Sequence, residues 1–214
     1  MLFRSGNLVI SSICASNRPA FIPRVVAQWL VQTCPDRELV IVQNADEAPA
    51  PVPAGIVSVI APTGTLLGQK LNLGIAAAHG DLFHKWDDDD MYAPGFLARG
   101  VAALADGKTD FCTWTRNLLY FPGDMRVILW FGVGGSSIFT RKLAVKCPYR
   151  NVASDVDGGL VQDMRKAGFR AIGVSDSPAL FTYVRDGNNL WKTMPWGEPV
   201  DDYLKRCSSP WRTE

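Results

Sequence analysis

Apolar residues in the first half of the chain fall into short runs that alternate with stretches of helical spacing. Leu8-Val9-Ile10-Ser11-Ser12-Ile13-Cys14 predicts a buried strand, and it stops at the turn formers Ala15-Ser16-Asn17-Arg18-Pro19. Ile22, Val26, Trp29, Leu30 and Thr33 then recur at helical spacing until Cys34-Pro35-Asp36, because proline cannot continue a helix from inside it. Residues 38–42 and 56–60 give two more short strands. From Thr65 the period lengthens again, with Leu67, Leu71, Ile75 and Ala78 on one helix face and Gln69 and Asn72 on another. His79-Gly80 ends that helix, residues 80–86 predict a fourth strand, and Leu97, Val101 and Leu104 mark the helix that follows. This alternation predicts right-handed parallel crossovers and a doubly wound, mostly parallel α/β sheet.

The second half is less regular. Residues 109–115 predict a strand, 117–121 and 125–131 a hairpin around Pro122-Gly123-Asp124, and 134–140 a glycine-led strand. Residues 155–167 predict a helix with Leu160, Met164 and Ala167 along one face, closed by Gly168. Two further strands follow, over 171–174 and 179–184. The pattern divides into one domain over 1–191, with a doubly wound half of nucleotide-binding type at about 1–106 and a less regular half at about 107–191. Residues 192–214 form a surface-packed extension.

Charge changes this picture at one place. Asp87-Asp88-Asp89-Asp90 sits where the fourth strand meets the next loop, which is where open α/β sheets bind ligands. Four adjacent carboxylates repel one another, and a hard divalent cation such as Mg²⁺ or Mn²⁺, shared with substrate phosphates, is the simplest counter-charge. A solvated acidic loop is the competing reading. An EF-hand is excluded, since Tyr92 and Ala98 stand where its glycine and bidentate glutamate belong. No Gly-x-Gly-x-x-Gly follows the first strand and no P-loop is present.

The ordered motifs resemble those of the GT-A glycosyltransferases, in particular the large inverting family that uses nucleotide-diphosphate sugars. The resemblance rests on Ser16-Asn17-Arg18-Pro19, Asp46 after the second strand, Lys70-Leu71-Asn72-Leu73-Gly74-Ile75 with Ala78-His79-Gly80-Asp81, and the tetrad with Pro94, which is similar to Asp-x-Asp-Asp-x-x-x-Pro. It implies a GT-A fold with a small antiparallel acceptor-side region, and a nucleotide-sugar donor lined by Asn17, Arg18, Asp46, Lys70, Asn72, Asp87 and Asp88. It further implies a Mn²⁺ or Mg²⁺ ion held by Asp89 with Asp87. Counting back from Gly168 on the family pattern places the catalytic base at Asp157, with Asp155 as runner-up. An N-cap role competes for Ser154, Asp155 and Asp157. Tyr183-Val184-Arg185-Asp186-Gly187-Asn188-Asn189-Leu190-Trp191 resembles a terminal motif that usually carries His where Asp186 stands, so Asp186 is a candidate third metal ligand, or else a turn residue. Trp130, Gly134 and Gly135 lie where the family receives its acceptor, with core packing the alternative for Trp130.

These residues favour a metal-dependent transfer of sugar to an acceptor hydroxyl. The rival enzyme is a sugar-phosphate nucleotidyltransferase, which needs a glycine-rich loop where Ala15-Ser16-Asn17-Arg18-Pro19 stands. A catalytically inactive carbohydrate- or nucleotide-binding module of the same fold is the non-enzymatic rival. Composition narrows the partners further: 47% hydrophobic and 20% charged residues are globular values, and a net charge of +1 argues against nucleic acid. No run approaches the roughly 20 apolar residues of a membrane span. Cys14, Cys34, Cys112, Cys147 and Cys207 are scattered without a CxxC pair, which favours buried thiols and a cytoplasmic protein.

Overall fold

The computed structural model describes residues 8–131, 135–187 and 195–208, the last three of these by backbone alone. The chain begins with β1 (Ile10–Ser16), a 3-10 turn at Pro19–Phe21, α1 (Ile22–Leu30), β2 (Arg37–Asn44), β3 (Val57–Ala61) and α2 (Leu67–Ala77). It continues through β4 (Leu82–Lys85), β5 (Met91–Tyr92), α3 (Phe96–Leu104), β6 (Phe111–Trp114), β7 (Arg116–Phe121) and β8 (Arg126–Phe131). Then come β9 (Ile138–Thr140), α4 (Arg141–Lys146), α5 (Val156–Lys166), β10 (Ala171–Val174), β11 (Phe181–Val184), β12 (Glu198–Pro199) and α6 (Val200–Ser208).

Seven strands form the main sheet in the order β10-β6-β9-β4-β1-β2-β3. All neighbours are parallel except β9, which runs antiparallel to both β4 and β6. From β1 the chain winds outward to β2 and β3, then returns to β4 on the other side of β1. The switch in strand order therefore lies between β1 and β4, and their carboxyl ends are where open α/β sheets form a binding crevice. A second sheet, β12-β8-β7-β11-β5, packs beside this end. Its strands pair antiparallel except β11 with β7, so the expected antiparallel acceptor-side region contains one parallel pair.

Helical periodicity locates the buried faces except at the helix C-terminal ends, where Leu30, Thr33 and Ala167, all expected on apolar faces, are exposed. On α1 the buried residues are Ile22, Val25, Val26 and Trp29, whereas Leu30, expected on that face, is 57% exposed. It is the last residue of the helix, and burial resumes beyond it at Gln32 and Cys34. The expected extension adds β12 to the edge of the second sheet, where Glu198 pairs with Val127 and Pro199 with Arg126. Residues 132–134 and 188–194, which include Gly134 and the Asn188-to-Trp191 end of the terminal motif, lie outside the described residues. Cys14, Cys34, Cys112 and Cys147 are buried free thiols. No helix among the described residues is long and apolar enough to cross a membrane.

Two local constraints bear on the site. Gly68, in the first turn of α2, lies under the segment that leads into α5: its N–H donates to Val152 O at 3.1 Å, and a methyl group here would collide with the Arg150 carbonyl oxygen. His84 on β4 is fully buried, edge-on to Trp86, Tyr92 and Phe96 with centroids 4.9–5.6 Å away. Burial pushes its pKa down from 6.5 to about 3.

Gly68→Ala is expected to lower stability by about 1–3 kcal/mol, because backbone rather than a flexible side chain must yield; the urea midpoint measures it. For His84 the unfolded chain binds the extra proton between pH 6.5 and about 3, so its stabilisation is complete above pH 6.5 and is lost as pH falls through that window. His84→Leu should flatten the pH dependence of the urea midpoint between pH 4 and 6, by roughly 1 kcal/mol per pH unit.

Candidate functional site

The acidic tetrad follows β4 directly, and each of its carboxylates is met by a cation from within the chain. Asp88, 5% exposed, accepts hydrogen bonds from the Arg18 guanidinium, with Nε at 3.2 Å, and from the Ser16 hydroxyl at the end of β1. Arg18 also reaches Asp89 at 3.0 Å. Asp90 is buried, accepting from the Val184 N–H at 3.0 Å and from Arg185 at 3.4 Å. Asp87 takes both of its hydrogen bonds from Lys85 Nζ, at 2.7 and 2.9 Å. The counter-charge that the sequence assigns to a divalent cation is thus supplied in part by Arg18, Lys85 and Arg185.

The main chain of the tetrad is held equally closely. Arg24 on α1 donates to the Asp89 and Asp90 carbonyls at 2.9 and 2.8 Å, and Gln28 exchanges hydrogen bonds with Asp90 O and the Tyr92 N–H. The Asp87 N–H donates to the Tyr92 hydroxyl at 2.9 Å. A loop fixed along its backbone aims its side chains without spending further entropy on ligand binding.

Lys85 also meets Asp157 Oδ2 at 2.9 Å, so one ammonium joins the tetrad to the N-terminal turn of α5. Its side chain is 8% exposed, against 28% for Asp87 and 24% for Asp157. Burial works against the ammonium, but the charges of Asp157 and Asp87 outweigh it and hold Lys85 well above the ordinary lysine value. At Asp87 burial dominates and, with the Asp157 charge, overcomes the pull of Lys85; its pKa is pushed up to about 6.

The two candidate bases separate clearly. Asp155 is exposed, has φ 53° and folds its carboxylate back over Gly158, where a methyl group would collide with it. Its side chain makes no cap hydrogen bond to α5. Asp157 instead points into the cluster with Lys85 and Asp87. The Tyr149 phenol is buried beside the same charges, and its hydroxyl has no hydrogen-bond partner among the described residues.

Around the crevice, Asn17 is exposed just beyond β1, and Asp46 is exposed beyond β2. Lys70 is buried on α2; burial lowers its pKa, while Glu47, Asp88 and Asp46 pull the other way. The Asn72 amide is engaged by the Tyr149 main chain on both sides, at 2.8 and 3.0 Å. Gly135 lies against Asp87: a Cβ there would stand 2.7 Å from Asp87 Oδ2, and its N–H donates to the Tyr183 hydroxyl at 3.1 Å. Trp130, on β8, packs edge-on to Trp196 at 6.1 Å. Asp186 is exposed one residue beyond Arg185. Among the described residues no group of three or more His, Cys, Asp or Glu side chains converges as a metal cage.

Sequence reasoning missed Lys85, Tyr149 and Asn44. Lys85 carried a readable signal, a lysine inside an otherwise apolar strand directly before the acids. Asn44, last residue of β2, is buried with an unpartnered Oδ1 beside the Asp46 turn. Nothing local distinguishes Tyr149, because its role depends on where the loop after α4 crosses α2.

Arg18→Met should cost about 1–3 kcal/mol of stability by leaving the Asp88 carboxylate buried and uncompensated. Arg18→Met/Asp88→Asn should recover most of that loss in thermal or urea unfolding. Comparison with known proteins gives this geometry a context. Comparison of the sequence with curated proteins finds no match. Among solved structures, a mannosyltransferase, PcManGT from Pyrobaculum calidifontis in complex with GDP-Man and Mn2+, superposes with TM-score 0.63 at 16% identity over 84% of this chain and 57% of its own. S. aureus TarS superposes with TM-score 0.61 at 13% identity, over 83% of this chain and 37% of its own. A TarS fragment in complex with UDP-GlcNAc gives 0.57 at 14% identity, over 85% and 60%. The chain therefore spans little more than half of these structures, or less, and shares with them the GT-A fold. The Glycosyl transferase family 2 model matches residues 12–148, well over half of the sequence, and the chain belongs to that family.

Proposed function

We propose that the protein is a glycosyltransferase that moves a sugar from a nucleoside-diphosphate donor to an acceptor hydroxyl with inversion. The observation that carries this reading is the meeting of Asp157, from the second half of the chain, with Asp87 across Lys85 at the carboxyl ends of β1 and β4. A donor-side acid and a base on one crevice are what a single displacement requires. The nucleotide complexes of PcManGT and TarS support a donor of that class.

Asp89 and Asp87 are hard oxygen donors two residues apart, suited to a small divalent cation whose remaining ligands would be diphosphate oxygens and water. Asp186 is the further candidate ligand. Such an ion, Mn²⁺ or Mg²⁺, would stabilise negative charge on the departing diphosphate. The chain's own groups do the rest. Arg18 and Lys70 are cations on the donor side of the crevice, with Asn17, Asn72, Asp46 and Asp88 around it. Trp130 and Gly135 are the candidates for the acceptor side. Asp157 takes the proton of the acceptor hydroxyl as its oxygen attacks the anomeric carbon; the new C–O bond forms, and the old bond breaks with its electron pair leaving on the diphosphate.

A donor panel of UDP-glucose, UDP-GlcNAc, GDP-mannose and dTDP-glucose, with and without Mn²⁺, should give metal-dependent release of a nucleoside diphosphate. Asp89→Ala is expected to abolish Mn²⁺-dependent nucleotide binding in calorimetry. Asp157→Asn should keep binding and lower transfer by about 10²–10⁴-fold. Undiminished transfer by Asp157→Asn would exclude it as the base, and pyrophosphate exchange would point to a nucleotidyltransferase.

A further inference from the structure

Lys85 is the only described side chain seen to pair with both a tetrad acid and Asp157. Its place is set by the sheet: β4 pairs in parallel with β1, Ile13 opposite Lys85, so the lysine stem leaves a fixed backbone at the floor of the crevice. The ammonium then stands 2.7 Å from Asp87 and 2.9 Å from Asp157. Stability alone is a weak reason for this arrangement. Withdrawing a lysine and a carboxylate from water is costly, and an apolar pair of the same volume is commonly as stable or more so. Helix α5 gives no reason either, since an acid in its first turn is already favoured by the helix dipole. What the ammonium does uniquely is fix the orientation of Asp157 relative to Asp87.

We propose that Lys85 is a positioning residue for the transfer step: by sharing its ammonium between Asp87 and Asp157, it holds the Asp157 carboxylate in line with the sugar that the donor side presents. This assignment rests on the glycosyltransferase reading above. A carboxylate at the start of a helix, with neighbours such as the exposed Asp155 and Gly158, has several rotamers open to it. A second bond from a buried cation selects one. The Tyr149 hydroxyl, buried beside the same charges, makes no described hydrogen bond and so does not compete for the ammonium. The acceptor proton still goes to Asp157 and the diphosphate still leaves with the bonding pair. Lys85 neither gives nor takes a proton in the step; it sets where the step occurs.

A double-mutant cycle tests this with the donor from the panel that the wild-type protein turns over. Lys85→Met keeps the length of the stem and removes the charge. It should lower kcat about 10²–10³-fold while the donor KM, and the calorimetric Kd for the free nucleoside diphosphate, change less than about threefold. In the Asp157→Asn background, Lys85→Met should lower kcat by less than about threefold more, because the group it positions is already gone. Should Lys85→Met fail to fold, Lys85→Gln, whose amide still donates but carries no charge, replaces it in the same cycle. Losses that multiply in the double variant, or a loss confined to KM and nucleotide affinity, would overturn the assignment while leaving the glycosyltransferase reading intact. A wild-type protein that turns over no donor of the panel overturns that reading, and this one with it.

Discussion

The structure depends on neutralising four adjacent carboxylates inside a crevice. Arg18 arrives from the turn after β1, Lys85 from β4 itself and Arg185 from the end of β11, three segments far apart in sequence. Each buried acid would cost several kcal/mol if left alone, so the tetrad folds stably only when the two sheets and the first crossover are all in place. The same charges that endanger the fold therefore link its parts. Asp90 binds the second sheet through Val184 and Arg185, Asp88 binds the first β-α turn, and Asp87 binds α5 through Lys85.

That linkage explains how the crevice can hold Asp157 on one wall and the tetrad on the other with little freedom between them. The parallel sheet sets the floor, because β1 and β4 are neighbours across the switch in strand order. β9 then runs antiparallel between β4 and β6, and the chain leaves it through α4 to reach α5 from the side. Gly68 lets that connecting segment lie directly on α2, which keeps Asp157 within reach of Lys85.

Much of the main sheet was legible because buried parallel strands are short apolar runs and their crossover helices keep one face. The tetrad's position, at the carboxyl end of a central strand, followed from that alone, whereas the preference for Asp157 over Asp155 came from the family resemblance, through a count back from Gly168. Other features were not legible, for physical reasons. α4 is six residues long, too short to show a period, and β5 and β12 have two residues each. The parallel pairing of β11 with β7 joins segments some sixty residues apart, and no local pattern encodes it. Self-repulsion of the aspartates was visible, and Lys85 beside them was readable, but Arg18 and Arg185 were not, since topology brings them to the tetrad.

The two-residue strand β12 has a consequence for how the molecule meets others of its kind. Open sheet margins invite further strands, and cells must guard against the aggregates that result. Here the margin beyond β8 ends on Pro199, which has no amide hydrogen to offer an incoming backbone, and the opposite margin is only Met91–Tyr92. The smaller sheet thus offers an incoming strand only very short outer strands on both sides, one of them ending on a residue that cannot donate.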